Sequence, residues 1–254
     1  MRRTAVVTGG NKGIGFEIAK QLLPTVSLLI LACRDRERGE AAVRALGGAP
    51  KVVFEQLDIS DRASIESFAG KMTDVDVLVN NAAIMLSSGN KKEQTGPTMK
   101  TNYWGTVHLT EKLLPLLAKS PDGAIVNVAS QLGALSQISA QRQSQFSDVT
   151  LTKEKLNDLV LDFEKDLVEK GNAWSSSNYG MSKLCVIAYT KILAKEAPET
   201  LKVNACCPGY CDTDMTNHAG PRDPADGARN AVMLAQPGIS HRGVFIKNER
   251  LADW

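Results

Sequence analysis

Short runs of apolar, often β-branched residues alternate along the chain with longer stretches whose apolar positions recur at helical spacing. The pattern predicts strands at Ala5–Val7, Leu28–Ala32, Val52–Leu57, Val75–Val79, Ile125–Val128, Val203–Cys206 and Val244–Ile246. Helices are expected over Gly13–Leu23, over Arg36–Leu46 up to Gly47-Gly48, and after Ser60, which reads as an N-cap. A long helix ending near Pro115 fills the space between the fourth and fifth strands. Continuous apolar strands alternating with helices indicate an α/β fold, a doubly wound parallel seven-stranded sheet with helices on both faces. Ligands of such sheets bind beyond the carboxyl ends of the strands, so chemistry is expected there.

One segment breaks the rhythm. Within 135–171, Ser136–Ser147 is polar and Gln/Ser-rich and reads as a loop. Leu156, Leu159, Val160, Phe163 and Leu167 then recur at helical spacing and give an amphipathic helix. This is an inserted element packed on the main body. No internal repeat or low-complexity linker divides the rest, so residues 1–254 are expected to form a single domain.

Composition narrows the function classes. The chain is 43% hydrophobic and 23% charged, as a soluble protein with a sizeable core requires. Net charge is +2, and Arg34, Arg36 and Arg38 are interleaved with Asp35 and Glu37, so no basic stripe exists for nucleic acid. The longest apolar stretch, Val26 to Cys33, is far short of a membrane span. Five cysteines without a C-x-x-C pair read as reduced thiols, and His108, His218 and His241 are too scattered to bind metal. No targeting segment precedes the first strand, so a cytoplasmic protein is expected, with no nucleic-acid or membrane partner and no metal.

Thr8-Gly9-Gly10-Asn11-Lys12-Gly13-Ile14-Gly15 joins the first strand to the first helix, where a phosphate cradle belongs. Glycines let the backbone approach a pyrophosphate, and helix amides favour its charge. The spacing is G-x-x-x-G-x-G rather than the commoner G-x-G-x-x-G. The second strand ends in Ala32-Cys33-Arg34, with no acid to accept from a ribose 2′-hydroxyl and an arginine suited to a 2′-phosphate. Lys12 can reach the same region. Two charge-assisted contacts of about 1.5–3 kcal/mol each favour NADPH over NADH roughly a hundredfold or more. Asp35 could instead pair with Arg34.

Tyr179-Gly180-Met181-Ser182-Lys183 is Y-x-x-x-K, which places a phenol and an ammonium on one helix face. The ammonium is expected to lower the phenol pKa and make Tyr179 a proton shuttle. Ser130 follows the fifth strand, where its hydroxyl could hydrogen-bond a carbonyl oxygen; a serine there also suits a turn or cap.

T-G-G-x-x-G-I-G, Val79-Asn80-Asn81-Ala82-Ala83 and Y-x-x-x-K together resemble the short-chain dehydrogenase/reductase family along essentially the whole chain. The family pattern has glycine where Ala83 stands. The resemblance implies a Rossmann-type fold and an active site of Asn102, Ser130, Tyr179 and Lys183, with Asn102 interrupting the long helix and holding a water. It implies a cofactor site of Gly9, Asn11, Lys12, Gly13, Ile14, Gly15, Arg34, Asp58, Ile59, Asn81, Ala82, Tyr179, Lys183, Pro208, Gly209 and Thr213. Asp58 would contact the adenine, although it reads equally well as a turn residue. Cys207-Pro208-Gly209-Tyr210 would hold the nicotinamide amide, and Cys206, Cys207 and Cys211 read as apolar packing beside it.

Ser130 and Tyr179 lie 49 positions apart (179 − 130), far more than the family's usual spacing of about a dozen. That insertion, G-G-N-K-G-I-G, Arg34-Asp35 and C-P-G-Y resemble the carbonyl reductase branch. The branch implies NADPH-dependent reduction of an aldehyde, ketone or quinone, and a monomer in which the inserted helix covers the association surface; a dimer through that face stays open. Two rivals share these residues: an NADP-dependent alcohol dehydrogenase acting on a steroid, retinoid or sugar, and a non-catalytic NADPH-binding sensor. Substrate walls are expected from Leu132–Leu135, the loop before Trp174 and the segment after Tyr210.

Overall fold

The computed structural model describes residues 3–86, 90–166 and 173–254. Seven parallel strands lie in the order β3-β2-β1-β4-β5-β6-β7. They are β1 (Thr4–Thr8), β2 (Leu28–Cys33), β3 (Val52–Gln56), β4 (Val77–Asn80), β5 (Ala124–Val128), β6 (Lys202–Cys207) and β7 (Phe245–Lys247). An eighth strand that periodicity does not foretell, β8 (Arg250–Leu251), pairs antiparallel with β7 through Ile246 and Leu251. It is only two residues long, too short to carry an alternation. Strand order reverses between β1 and β4, and a crevice opens there.

Side chains along each strand alternate between two apolar cores. Val6, Ile30, Leu78, Ile125 and Val203 face one core, which also holds residues of α3 (Arg62–Gly70), α5 (Thr106–Leu117) and α8 (Asn178–Glu196). Ala5, Val7, Leu29, Leu31, Val77, Val79 and Val126 face the other, under α1 (Gly13–Leu22), α2 (Arg36–Ala45) and α9 (Pro224–Leu234). Gly15, Ile18, Ala19 and Leu22 form the buried stripe of α1. Asp35 caps α2 by accepting from the Arg38 amide, and it pairs with Arg38 at 3.6 Å rather than with Arg34. Helix α3 is capped by Asp61, not Ser60; Ser60 is instead held in a turn by Asp58.

Polar residues cross the centre of the sheet as a bonded ladder. Asn80 Nδ2 donates to Asn127 Oδ1 (2.8 Å) and Thr110 Oγ1 (2.9 Å), and Asn127 Nδ2 donates to Thr190 Oγ1 (2.8 Å). All four are buried, where unpaired donors would cost several kcal/mol. The ladder fixes the carboxyl ends of β4 and β5 against α5 and α8.

The long helix expected before β5 is α4 (Lys91–Met99), a π-helical stretch at Lys100–Gly105, and α5. Gly105 is required there, because a Cβ would collide with the Ile59 carbonyl oxygen. Part of the segment expected to be a loop is helical: α6 (Ala140–Phe146) is capped by Ser139, which accepts from the Arg142 amide. Polar composition concealed it because only Phe146 of this short helix is buried. In α7 (Lys153–Asp166), Leu156, Leu159, Val160 and Phe163 are buried as the spacing predicts, while Leu167 lies outside the described residues. Tyr103 Oη donates to Asn157 Oδ1 (2.8 Å) and Trp104 Nε1 to Glu164 Oε1 (3.3 Å), so the insertion is bolted to the π-helical stretch.

Candidate active site

The glycine loop leaves β1 with Gly9 at φ +64° and enters α1 through Gly13 at φ +53°, both in the left-handed region. Gly15 has no room for a Cβ, which would strike the Gly9 carbonyl oxygen and the Asn81 amide. Thr8 ties the loop to the strand beside it. Its Oγ1 accepts from the Asn81 (3.0 Å) and Ala82 (2.9 Å) amides and donates to the Val79 carbonyl, while Asn81 Nδ2 donates to the Thr8 carbonyl (2.9 Å). Backbone is thereby held close on both sides of the crevice at the switch in strand order.

The crevice is a cleft of about 470 Å³. Gly9, Asn11, Lys12, Gly13, Ile14, Gly15, Arg34, Asp58, Ile59, Asn81, Ala82, Tyr179, Lys183, Pro208 and Thr213 all line it. Gly209, Ser130 and Asn102 are not among the residues that line it. Gly209 turns the chain at φ +86° beside Arg222, and its amide donates to Cys207 Sγ (3.4 Å). Asp58 does act as the turn residue: its Oδ1 accepts from the Ser60 amide (2.9 Å) and hydroxyl (2.7 Å), while the residue still lines the cleft.

Ser177 caps α8 by accepting from the Gly180 amide (2.9 Å), which points the first turn of the helix at the cleft. Lys183 Nζ donates to the Val128 carbonyl at the end of β5 (2.7 Å) and sits 5.5 Å from the centre of the Tyr179 ring. Burial pulls the Lys183 ammonium down to about 8, against an opposing pull from the Cys206 and Cys207 thiols. The Tyr179 phenol moves the other way from expectation. Burial, helped by the Cys207 thiol, raises it above its usual value. The ammonium expected to lower it is hydrogen-bonded to the Val128 carbonyl instead.

Ser130 Oγ accepts from the Leu132 amide (3.1 Å), the cap geometry that a serine here suits, and its own proton is left for another acceptor. Asn102 lies within the π-helical stretch. Its Oδ1 accepts from the Ile84 amide (2.8 Å), and its Nδ2 donates to the Ile84 carbonyl (2.9 Å) and to Ser182 Oγ (3.0 Å). Ser182 in turn donates to the Tyr179 carbonyl (2.7 Å), so Asn102 connects the segment after β4 to the helix turn that carries the phenol.

Contacts that motif reading did not foresee also shape the site. Cys207 Sγ accepts from the Gln131 (3.2 Å) and Gly209 amides and so joins the loops after β5 and β6. Asp212, Asp214, Met215 and His218 line the cleft after β6. Lys12 Nζ contacts Asp214 Oδ2 at 2.5 Å; His218 contacts Asp214 at 3.2 Å and Asp212 at 2.6 Å. Thr213-Asp214-Met215 continues the C-P-G-Y segment that resembles the family's nicotinamide site, whereas the pairing of Asp214 with Lys12 and His218 has no signal in the sequence. Apolar surface is offered by Leu132 (51% exposed), Tyr210 (52%) and Met215 (36%). Among the described residues, no group of three or more His, Cys, Asp or Glu could hold a metal, and no helix is long and apolar enough to cross a membrane.

The sequence model of the family described as short chain dehydrogenase matches residues 3–143 and 169–223. The gap between these stretches falls within the insertion that carries α7. Carbonyl reductase [NADPH] 1 of Sus scrofa is 37% identical, over 99% of this chain and 94% of that protein. Among solved structures, salutaridine reductase from Papaver somniferum is 34% identical with a TM-score of 0.85, covering 96% of this chain and 99% of its own. Menthone neomenthol reductase from Mentha piperita is 32% identical with a TM-score of 0.84, covering 98% of this chain and all of its own. With the family model matching most of its length, the chain belongs to the short chain dehydrogenase family.

Proposed function

We propose that the whole chain works as one unit that reduces an aldehyde, ketone or quinone with NADPH, Tyr179 donating the proton. The observation that carries this reading is the junction at Lys183, whose buried ammonium joins the end of β5 to the helix turn bearing Tyr179 at the edge of a glycine-walled cleft. The cleft suits a dinucleotide: no Cβ fits at Gly15, its volume is about 470 Å³, and Lys12 and Arg34 supply cations with no acid ending β2. NADPH, when bound, supplies a hydride. The remaining work falls to the chain.

Ser130 keeps its hydroxyl proton for the substrate oxygen and orients that oxygen towards Tyr179. Burial holds Tyr179 protonated, which suits a donor and so suits reduction. Lys183 holds positive charge behind the phenol as its proton leaves. Both amide hydrogens of Asn102 are used by Ile84 and Ser182, so a relay water at this residue would rest on its free Oδ1 lone pair or on its π-helical carbonyl. Leu132, Tyr210 and Met215 favour a substrate with an apolar body. The apolar face of α7 is buried within its own chain, which supports a monomer, and five buried free cysteines suit a reducing, cytoplasmic setting.

The test is NADPH oxidation followed by absorbance with a quinone and an aromatic aldehyde, repeated with NADH. Turnover strongly favouring NADPH is expected. Turnover favouring NADH would overturn the cofactor assignment, and tight NADPH binding without turnover would point to a sensor.

A further inference from the structure

A second cavity of about 470 Å³ opens on the far side of α8, where α6 ends and the chain returns through Arg242 and Trp254. It shares no residue with the cofactor cleft. Lys191 lies twelve residues beyond Tyr179 on the same helix, about 18 Å along its axis. Phe146, Leu151, Ile192 and Trp254 give it an apolar wall, set beside the polar side chains of Ser147, Asp148, Lys191, Lys195 and Arg242.

The charges there are unevenly matched. Among the described residues, neither lysine has a carboxylate within the 4.0 Å of an ion pair. Lys191 Nζ sits 5.5 Å over the Trp254 ring, and Lys195 Nζ donates to the Val149 carbonyl (3.2 Å). Arg242 also lines the cavity, but its guanidinium is engaged by the carbonyls of Ala197, Pro198 and Leu201. The carboxylate of Asp148 is bonded to the Thr150 amide and hydroxyl and reaches Lys195 only as a longer-range charge. Burial and the like charge of Lys195 lower the Lys191 pKa, with Asp253 opposing at longer range. An anion between the two ammoniums would relieve that repulsion, and its apolar body would cover Trp254 and Ile192.

We propose that this cavity is a binding site for an amphipathic carboxylate, with its anionic head between Lys191 and Lys195 and its apolar body against Trp254. A cavity of this size that joins an apolar wall to convergent charges suits a small amphipathic ligand. The site is separate from the reaction centre and needs nothing from it.

Calorimetric titration of the full chain with 2-naphthoate, under saturating NADP⁺ to occupy the cofactor cleft, tests the assignment. Wild-type protein should bind the probe, and the neutral 2-naphthamide should bind at least tenfold more weakly. The Lys191→Gln/Lys195→Gln variant should lose at least tenfold in naphthoate affinity and keep its NADP⁺ affinity. Lys195→Gln alone, at an exposed position, should lose severalfold if the double variant does not fold, and Trp254→Ala should weaken the acid and the amide alike. Failure of wild-type protein to bind at millimolar probe, equal binding of acid and amide, or unchanged affinity in the lysine variants would each overturn the proposal.

Discussion

Lys12 of the glycine loop and Asp214 of the segment after β6 meet at 2.5 Å across the mouth of the cofactor cleft, and both side chains are more than half exposed. The cation proposed to receive a 2′-phosphate is therefore already paired with a carboxylate. Exposed ion pairs contribute little and exchange easily, whereas a guanidinium or ammonium on a phosphate is a strong charge-assisted contact. Asp214 thus competes with the cofactor for Lys12. Asp214→Asn should tighten NADPH binding about two- to fivefold and leave NADH unchanged, whereas Lys12→Ala should weaken NADPH about tenfold or more. Fluorescence titration with both cofactors measures this; equal effects on NADPH and NADH would remove Lys12 from the phosphate site.

His218 ties the same clasp to pH. Asp212 first, and then Asp214, raise its pKa above 6.5. Protonated His218 neutralises Asp214 and so leaves Lys12 to the phosphate; because the folded value is raised, this contribution is full below pH 6.5 and is lost as pH rises through the folded value. NADP(H) release should therefore quicken on the alkaline side of neutrality, and His218→Gln should flatten that dependence. Stopped-flow dissociation rates between pH 6 and 9 decide it. A wild-type rate constant across the range would disconnect the clasp from cofactor release.

Arg34 is free to choose a phosphate because Asp35 is engaged elsewhere, as the cap of α2 and the partner of Arg38. Replacing Arg34 with Asp would set an acid at the end of β2, where NAD-specific sites carry one. The NADPH-to-NADH ratio of kcat/KM should fall about a hundredfold. An unchanged ratio would place the 2′-phosphate elsewhere.

The strands and the glycine cradle were legible because they depend on local pattern: Val6 and Val7 face opposite cores, and Gly15 cannot be larger. The four residues implied as catalytic could be located by their motifs, but not their electrostatics. Nothing in Y-x-x-x-K reveals that Lys183 bonds Val128 and that burial raises Tyr179. The clasp was hidden because it joins positions 202 residues apart, and Cys207 because a thiol accepting two amides reads as apolar packing. α6 escaped because a helix with one buried residue has no periodicity to find.

Tyr179→Phe removes a proton and one oxygen while keeping the ring that Lys183 faces. General acid catalysis contributes about 10²–10⁴-fold, so kcat should fall by about that factor with NADPH affinity nearly intact. Equal loss of affinity would mean that the hydroxyl holds the cofactor rather than the proton.

On the proposed reading, Lys183 sets the pH range of the site. Its pKa is pulled down to about 8 by burial, so below pH 8 the ammonium is present and above it the charge is lost. Tyr179 is raised by burial and stays protonated through the same interval, so it cannot produce a limb there. kcat/KM for NADPH reports groups of the free enzyme, the state to which these values apply. It should be level up to about pH 8 and then fall about tenfold per unit. Lys183→Arg keeps a cation that does not titrate in this range, so whatever activity it retains should lose the limb near pH 8. A limb persisting in that variant would belong to another group, and Lys183 would then hold the helix turn in place without governing the reaction's pH dependence.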